Sequence, residues 1–255
     1  MPSQADIAAH GDRLKEMPDE AFAPPSYWDE VKDPSSTVEF FPLEAGSEEY
    51  ERVQSAFALT TGPLDVTINS IERVQNIGLW QAYCAKKSQI AARAIDPATA
   101  TNHSGTPERN WLFHGLASEM SDKVAQLGFN CLLPPRAAIR QGRLLCPGRV
   151  LLIPPLYSPP DAGGVQTMFA VRVAVGDWSP GVKGGLTPGV RDAANNVVYD
   201  STVDNVDDPS FWCTYHGAQA YPEYRVRFTQ ANPAKHHPKA GQPSPNGYRP
   251  DMLAP

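Results

Sequence analysis

The chain reads as an α+β protein, and three observations say so. Its apolar residues alternate in several short runs. Helical spacing appears only in a few stretches between those runs. Long Pro-rich ends lie outside both. The helices are too few and the strands too far apart for a doubly wound parallel sheet.

Ser47 stands before Glu48-Glu49-Tyr50, and Tyr50, Val53 and Phe57 recur at helical spacing, which predicts an N-capped amphipathic helix. Leu64, Val66 and Ile68 then alternate with Asp65 and Thr67, predicting a strand. Asn76 opens a second helix, with Leu79, Trp80 and Tyr83 on one side and Lys86, Lys87 and Arg93 on the other. The segment Asp96 to Thr106 is a loop by its Pro97, Asn102 and Gly105. After it, Trp111-Leu112-Phe113 leads to His114-Gly115, and Ser118 is placed to cap a helix carrying Met120, Val124 and Leu127, stopped by Gly128. Thr167 to Gly176 and Tyr221 to Phe228 alternate as strands.

The chain has 255 residues, room for one sizeable core plus tails. Residues 1–36 mix Pro, Asp, Glu and Ser and predict a disordered tail that docks at most through Tyr27 and Trp28. Residues 231–255 predict a second disordered tail, rich in Pro, which leaves residues 37–230 for the folded domain. The net charge of -6 is spread along the chain, so a direct nucleic-acid partner is not expected. No apolar run reaches the ~20 residues of a membrane span, and no membrane partner is expected. Cys84, Cys131, Cys146 and Cys213 form no CxxC pair, and the N-terminus has no apolar signal core. A reducing compartment follows as the expectation, nucleus or cytoplasm. His103, His216 and the His236-His237 pair have no partner at metal-ligand spacing, so no metal is expected and they read as surface residues.

Four blocks carry a resemblance: INSIERVQNIGLWQAYCAKK (Ile68 to Lys87), WLFHGLASEMSDKVAQLGFN (Trp111 to Asn130), YSPPDAGG (Tyr157 to Gly164) and YDSTVDNVDDPSFWCTYHGAQAYPEYRVRF (Tyr199 to Phe228). Their joint order, with an IERVQN-x-x-LW helix, an LFHG strand end, a GFN stop and an AYPEY strand, resembles the catalytic domain of the poly(ADP-ribose) polymerase (PARP)-like mono-ADP-ribosyltransferases. The resemblance implies a split antiparallel-sheet fold that holds NAD+ as co-substrate in a cleft. It implies cleavage of the nicotinamide-ribose bond and transfer of one ADP-ribose to a protein acceptor. By the same mapping His114 bonds a hydroxyl of the adenosine ribose, and the Gly115 backbone holds the nicotinamide carboxamide. Tyr157, which opens YSPPDAGG, falls among the cofactor-binding positions. An oxocarbenium-like transition state needs positioned hydrogen bonds and a held leaving group more than a strong base.

The third pocket position falls at Phe211, where chain-forming relatives carry Glu. Phe211 can neither accept a hydrogen bond nor take a proton, so single-unit transfer is expected. Taken by itself, Phe211 also reads as a core strand residue beside Trp212.

The pattern breaks between Cys131 and Leu156, where the family's GKGxYFA…YS stretch and its two tyrosines are missing. Leu144 stands at the pocket-tyrosine position and Leu151 at that of the tyrosine that stacks on nicotinamide. Read one nucleotide later, the degenerate codons of Arg140 to Pro147 can spell Gly-Lys-Gly-Val-Tyr-Phe-Ala-Arg, and those of Gly148 to Ile153 can continue Asp-Ala-Ser-Tyr-Ser-Ser. The segment therefore reads as out of frame between two compensating shifts. The competing readings are a pseudoenzyme that binds NAD or ADP-ribose as an interaction module, and a purely structural domain. Losing a stacking tyrosine removes about 0.5–1.5 kcal/mol of contact, and a polar partner left unsatisfied costs about 1–3 kcal/mol more.

Overall fold

The alternating runs become strands, and the longest of them build one sheet. The computed structural model describes residues 22–33, 35–61, 64–93, 108–129, 143–145, 158–182, 187–209 and 212–231; of residues 108–110 and 143–145 the backbone alone is described. In chain order the strands are β1 (Glu39–Pro42), β2 (Val66–Gln75), β3 (Glu108–Leu116), β4 (Arg143–Leu145), β5 (Val165–Ala174), β6 (Trp178–Pro180), β7 (Val190–Asp192), β8 (Val197–Val198), β9 (Ser201–Val203), β10 (Trp212–Thr214) and β11 (Ala220–Gln230). The α-helices are α1 (Glu48–Thr61), α2 (Ile77–Arg93) and α3 (Ser121–Leu127).

A five-stranded sheet in the order β1-β2-β11-β5-β3 is antiparallel throughout. A four-stranded sheet has the order β4-β10-β9-β6, and β7 pairs with β8. The fold is α+β. The antiparallel expectation has one exception, since β6 and β9 pair in parallel. The long connection through β7 and β8 makes that possible, because parallel neighbours cannot be joined by a tight turn.

Successive residues of each long strand go to opposite faces, as a period of two requires. Phe113, Met168, Ala170, Val226 and Phe228 lie in one core with Val53 and Phe57 of α1. Leu112, Phe169, Val171 and Val173 lie in another, with Val124 and Phe129 from the α3 region and Trp178, Val203 and Trp212 from the small sheet. Trp80 and Tyr83 of α2 cover a third cluster around Tyr221.

Central strand β11 contains Pro222, which supplies no ladder donor. Its register with β5 shifts between Pro222 and Tyr224, so Glu223 occupies a bulge. Glu223 is fully buried there. It accepts from the Tyr27 hydroxyl and the Trp111 indole and lies 2.8 Å from Arg172 Nε. Burying a carboxylate is tolerable only with such partners.

Local signals explain the helix ends. Ser47 Oγ accepts the Tyr50 N–H at 3.2 Å, as a cap for α1 should. Asn76 Oδ1 accepts from Leu79 N at 3.1 Å at the start of α2. Two expectations need correction. Ile71 to Gln75 of the IERVQN block belong to strand β2, and the helix begins only at Ile77. Ser118 does not cap α3: residues Ser118–Met120 form a 3-10 turn, and the Ser118 hydroxyl bonds Thr167 Oγ1 at 3.0 Å. Leu127 is exposed, whereas Ser121, Val124 and Ala125 face inward.

The segment at residues 22–33 lies against the sheet through more than Tyr27 and Trp28. Trp28 stacks on Tyr221 at 6.1 Å and meets Trp80 at 5.9 Å. The Trp80 indole donates to Ala23 O at 2.8 Å. Gln75 exchanges two bonds with the Asp29 backbone, both at 2.9 Å, and Arg73 pairs with the Asp29 carboxylate. These partners satisfy backbone groups that composition alone assigned to solvent.

Candidate functional site

Along β3 the core-facing positions should all be apolar, and Leu112 and Leu116 are, at 1% and 9% exposure. His114 sits between them in the same register and is only half-buried. Its imidazole meets the Phe129 ring edge-on, with centroids 5.0 Å apart and planes at 75°. A polar ring is thus held, partly open, in the middle of an apolar stripe. His114 and Gly115 pair with Phe169 and Met168 of β5, so the His-Gly step lies at the end of an edge strand.

The end of that strand is tied down. Leu116 is paired with Thr167. The Ser158 hydroxyl donates to Thr167 O at 2.9 Å and accepts from Thr167 N at 3.2 Å, while Gln166 Nε2 donates to Ser158 O at 2.6 Å. These bonds bring the start of the YSPPDAGG block beside the His-Gly end of β3.

The small sheet approaches from the other direction. The β4 backbone pairs with β10 so that Leu144 faces Cys213 and Leu145 faces Trp212. Strand β4 also runs in contact with β3. The contact between β4 and β3 makes a junction between the small sheet and the strand that carries His114. Phe211, Leu151 and Tyr157 themselves lie outside the described residues, as does most of the stretch Cys131 to Leu156; for Leu144 the backbone alone is described.

Beside this junction burial pushes the Cys213 thiol up to about 11, against the smaller opposing effect of hydrogen bonds with Tyr215 and Thr202. A thiol held protonated is no nucleophile at neutral pH. Asp200 is pushed upward by burial, and it bonds Arg93 Nη2 at 2.8 Å and accepts from Asp177 N at 3.1 Å. It ties α2 to the turn between β5 and β6. His216 is exposed and caps the 3-10 turn Gly217–Gln219 through Nδ1, accepting from Ala218 N at 3.2 Å. Among the described residues no group of three or more His, Cys, Asp or Glu is arranged to hold a metal ion, and no helix is long and apolar enough to cross a membrane.

Sequence reasoning singled out His114 and Gly115, which lie at the end of β3, and carried no sign of what surrounds them. Phe129 was legible only as part of a helix stop, and the Ser158–Thr167 pair carried no local signal.

No family profile matches the chain. Among curated proteins, it is 30% identical over 208 residues to the Homo sapiens "Protein mono-ADP-ribosyltransferase PARP12", covering 82% of this chain and 28% of that protein. It is 30% identical over 208 residues to the Homo sapiens "Protein mono-ADP-ribosyltransferase PARP14", covering 80% of this chain and 11% of that protein. It is 27% identical over 235 residues to the Mus musculus "Protein mono-ADP-ribosyltransferase PARP11", covering 82% of this chain and 66% of that protein. The chain thus spans less than a third of the length of the first two.

Proposed function

Because the chain belongs to the PARP-like mono-ADP-ribosyltransferase family, we propose that residues 37–230 form an NAD+-dependent transferase domain that passes one ADP-ribose to a protein side chain. The observation that carries this reading is a half-buried histidine in an otherwise apolar stripe of β3, the strand against which β4 of the small sheet lies. Nucleus or cytoplasm is the compartment that fits the cysteine usage.

In the proposed reaction the bond from ribose C1′ to the nicotinamide nitrogen breaks, and nicotinamide leaves with the bonding pair. A bond forms from C1′ to the acceptor heteroatom, which gives up its proton if it carries one. His114 orients the adenosine ribose through a hydroxyl, and the Gly115 backbone holds the carboxamide of the leaving group. Tyr157 completes the nucleotide side. Positioning of this kind lowers the barrier by fixing the reacting atoms, without a strong base. Phe211 offers no carboxylate to polarise a ribose hydroxyl of a first ADP-ribose, so the reaction stops after one unit.

Leu144 and Leu151 stand where the pocket calls for tyrosines, and they are the weak point of the chain as written. The test is to recode residues 131–156 in the shifted frame, which includes Leu144→Tyr and Leu151→Tyr, and to measure nicotinamide release. Release should rise at least tenfold over the chain as written, about what one lost stacking contact and one lost hydrogen bond account for together. Intact-mass analysis of modified protein should show isolated adducts. A recoded chain that neither gains thermal stability from NAD+ nor releases nicotinamide refutes the proposal; ladders of linked units refute the single-unit assignment.

A further inference from the structure

Among the described residues the His114 ring packs against Phe129, whose placement depends on a helix too short to stand alone. We propose that Phe129 is a positioning residue for His114, and that Arg225 and Asn76 are the anchors holding α3, the helix that delivers Phe129. As a statement about NAD+ affinity this rests on the reading of His114 as a nucleotide-binding residue; as a statement about the orientation of the imidazole it stands alone.

A seven-residue helix is marginal without tertiary contacts. At its start, Arg225 Nη1 reaches from β11 to Asp122 Oδ1 at 2.5 Å and to Ser121 Oγ at 3.3 Å. The same guanidinium is fixed by Glu72 at 2.8 Å and lies over the Phe40 ring at 3.8 Å, so it is itself immobilised. At the other end, Asn76 Nδ2 donates to Ala125 O at 3.0 Å and Gln126 O at 3.1 Å, satisfying carbonyls that the helix end leaves open.

The chain then turns at Gly128, with φ 72°, and a Cβ there would meet Leu79 Cδ2 at 3.1 Å. A side chain at this position is disfavoured by both backbone and neighbour. The turn sends Phe129 inward, 4% exposed, against Phe169 at 6.4 Å on one side and His114 at 5.0 Å on the other. A core filler could be any apolar side chain. An aromatic edge against a half-exposed imidazole instead restricts which way the imidazole turns. Arg225 and Asn76 thus hold the two ends of α3, and α3 leads through Gly128 to Phe129 and His114.

The experiment uses the full chain labelled at histidine with 13C and 15N, and follows the His114 imidazole resonance, identified by its loss in His114→Ala. Phe129→Leu keeps apolar bulk and removes the ring edge; Arg225→Met keeps the stem and removes the anchor. Val53→Ala, on the buried side of α1, is the control for general destabilisation. The wild-type chain should give one sharp His114 signal. Phe129→Leu and Arg225→Met should shift and broaden it, and Val53→Ala should leave it in place. In NAD+ titrations followed by thermal shift, Phe129→Leu should weaken binding about 3–10-fold, the range one aromatic contact implies, and should add nothing on a His114→Ala background. An unchanged His114 signal and unchanged affinity in Phe129→Leu overturn the proposal. Equal effects from Val53→Ala overturn it too. If the wild-type chain binds no NAD+, the proposed function falls, and the resonance alone still decides the positioning claim.

Discussion

The two faces of the large sheet are built from the same strands and end differently. On the α1 side Val53, Phe57, Phe113 and Phe228 are all 0–1% exposed. On the other side Leu112 and Leu116 enclose His114, which is neither buried like its neighbours nor released to solvent. A sequence selected for packing alone would place an apolar residue there, because a polar group in that register loses hydration. The closed face sets stability. The interrupted face carries the proposed nucleotide site.

The largest effect that separates the two faces is expected at Phe57. It touches the rings of Phe113 and Phe228 at 5.7 and 5.0 Å, so Phe57→Ala should cost about 3–5 kcal/mol in urea unfolding. His114→Ala should change stability by less than about 1 kcal/mol, as half-exposed positions do, while removing the stabilisation that NAD+ confers. Equal losses of stability at both sites would erase the distinction.

Next in size is Glu223. Its charge is buried and shared among Tyr27, Trp111 and Arg172, and burial together with that charge holds the Tyr27 hydroxyl far above its ordinary range. Glu223→Gln keeps the shape and should cost about 1.5–3 kcal/mol, the weight of hydrogen bonds to a charged group. Calorimetry should find it, and a loss under about 0.5 kcal/mol would mean that the residue 22–33 segment is held by its rings and by the Asp29 and Ala23 contacts, without help from the buried carboxylate.

Cys213 reports on the junction between the sheets. With its pKa raised to about 11, it should react with iodoacetamide at pH 8 about 100-fold more slowly than a free thiol, two pK units being a hundredfold less thiolate. A raised folded-state pKa means the folded chain holds the proton more tightly. The stability this gives is present below the ordinary thiol range and is lost as pH rises through about 11. Labelling at the free-thiol rate would mean that the part-exposed Cys213 thiol is not held protonated by its surroundings at the junction.

The fold was legible where the signal is local. Alternation located the cores of β2, β5 and β11, and Ser47 and Asn76 marked true helix starts. What failed was set by tertiary contacts. Ser118 has the chemistry of a cap, but a partner at Thr167, 49 residues away, takes its hydroxyl. The parallel pairing of β6 with β9 joins segments that no local pattern links. For the site, LFHG pointed to His114, whereas the Phe129 contact and the opposition of Leu144 to Cys213 depend on how distant elements meet.

The smallest expected effect lies at the N-terminus of α1, the helix that covers the closed face. Ser47 Oγ satisfies one open N–H there, and its replacement by Ala typically costs about 1 kcal/mol. The helix should survive that loss, because Glu48, Glu49 and Glu51 in its first turn favour the positive end of the helix dipole. Glu49 also accepts from the Tyr224 hydroxyl at 2.7 Å and from Arg73 Nη1 at 2.9 Å, which holds α1 to the sheet independently of the cap. Ser47→Ala should therefore lower Tm by about 2–4 °C for a domain of this size, with NAD+ affinity unchanged. A parallel drop in affinity would mean that the closed face and the His114 face respond as one unit, since the hydrogen bonds of Ser47 among the described residues run to Glu44, Tyr50 and Glu51.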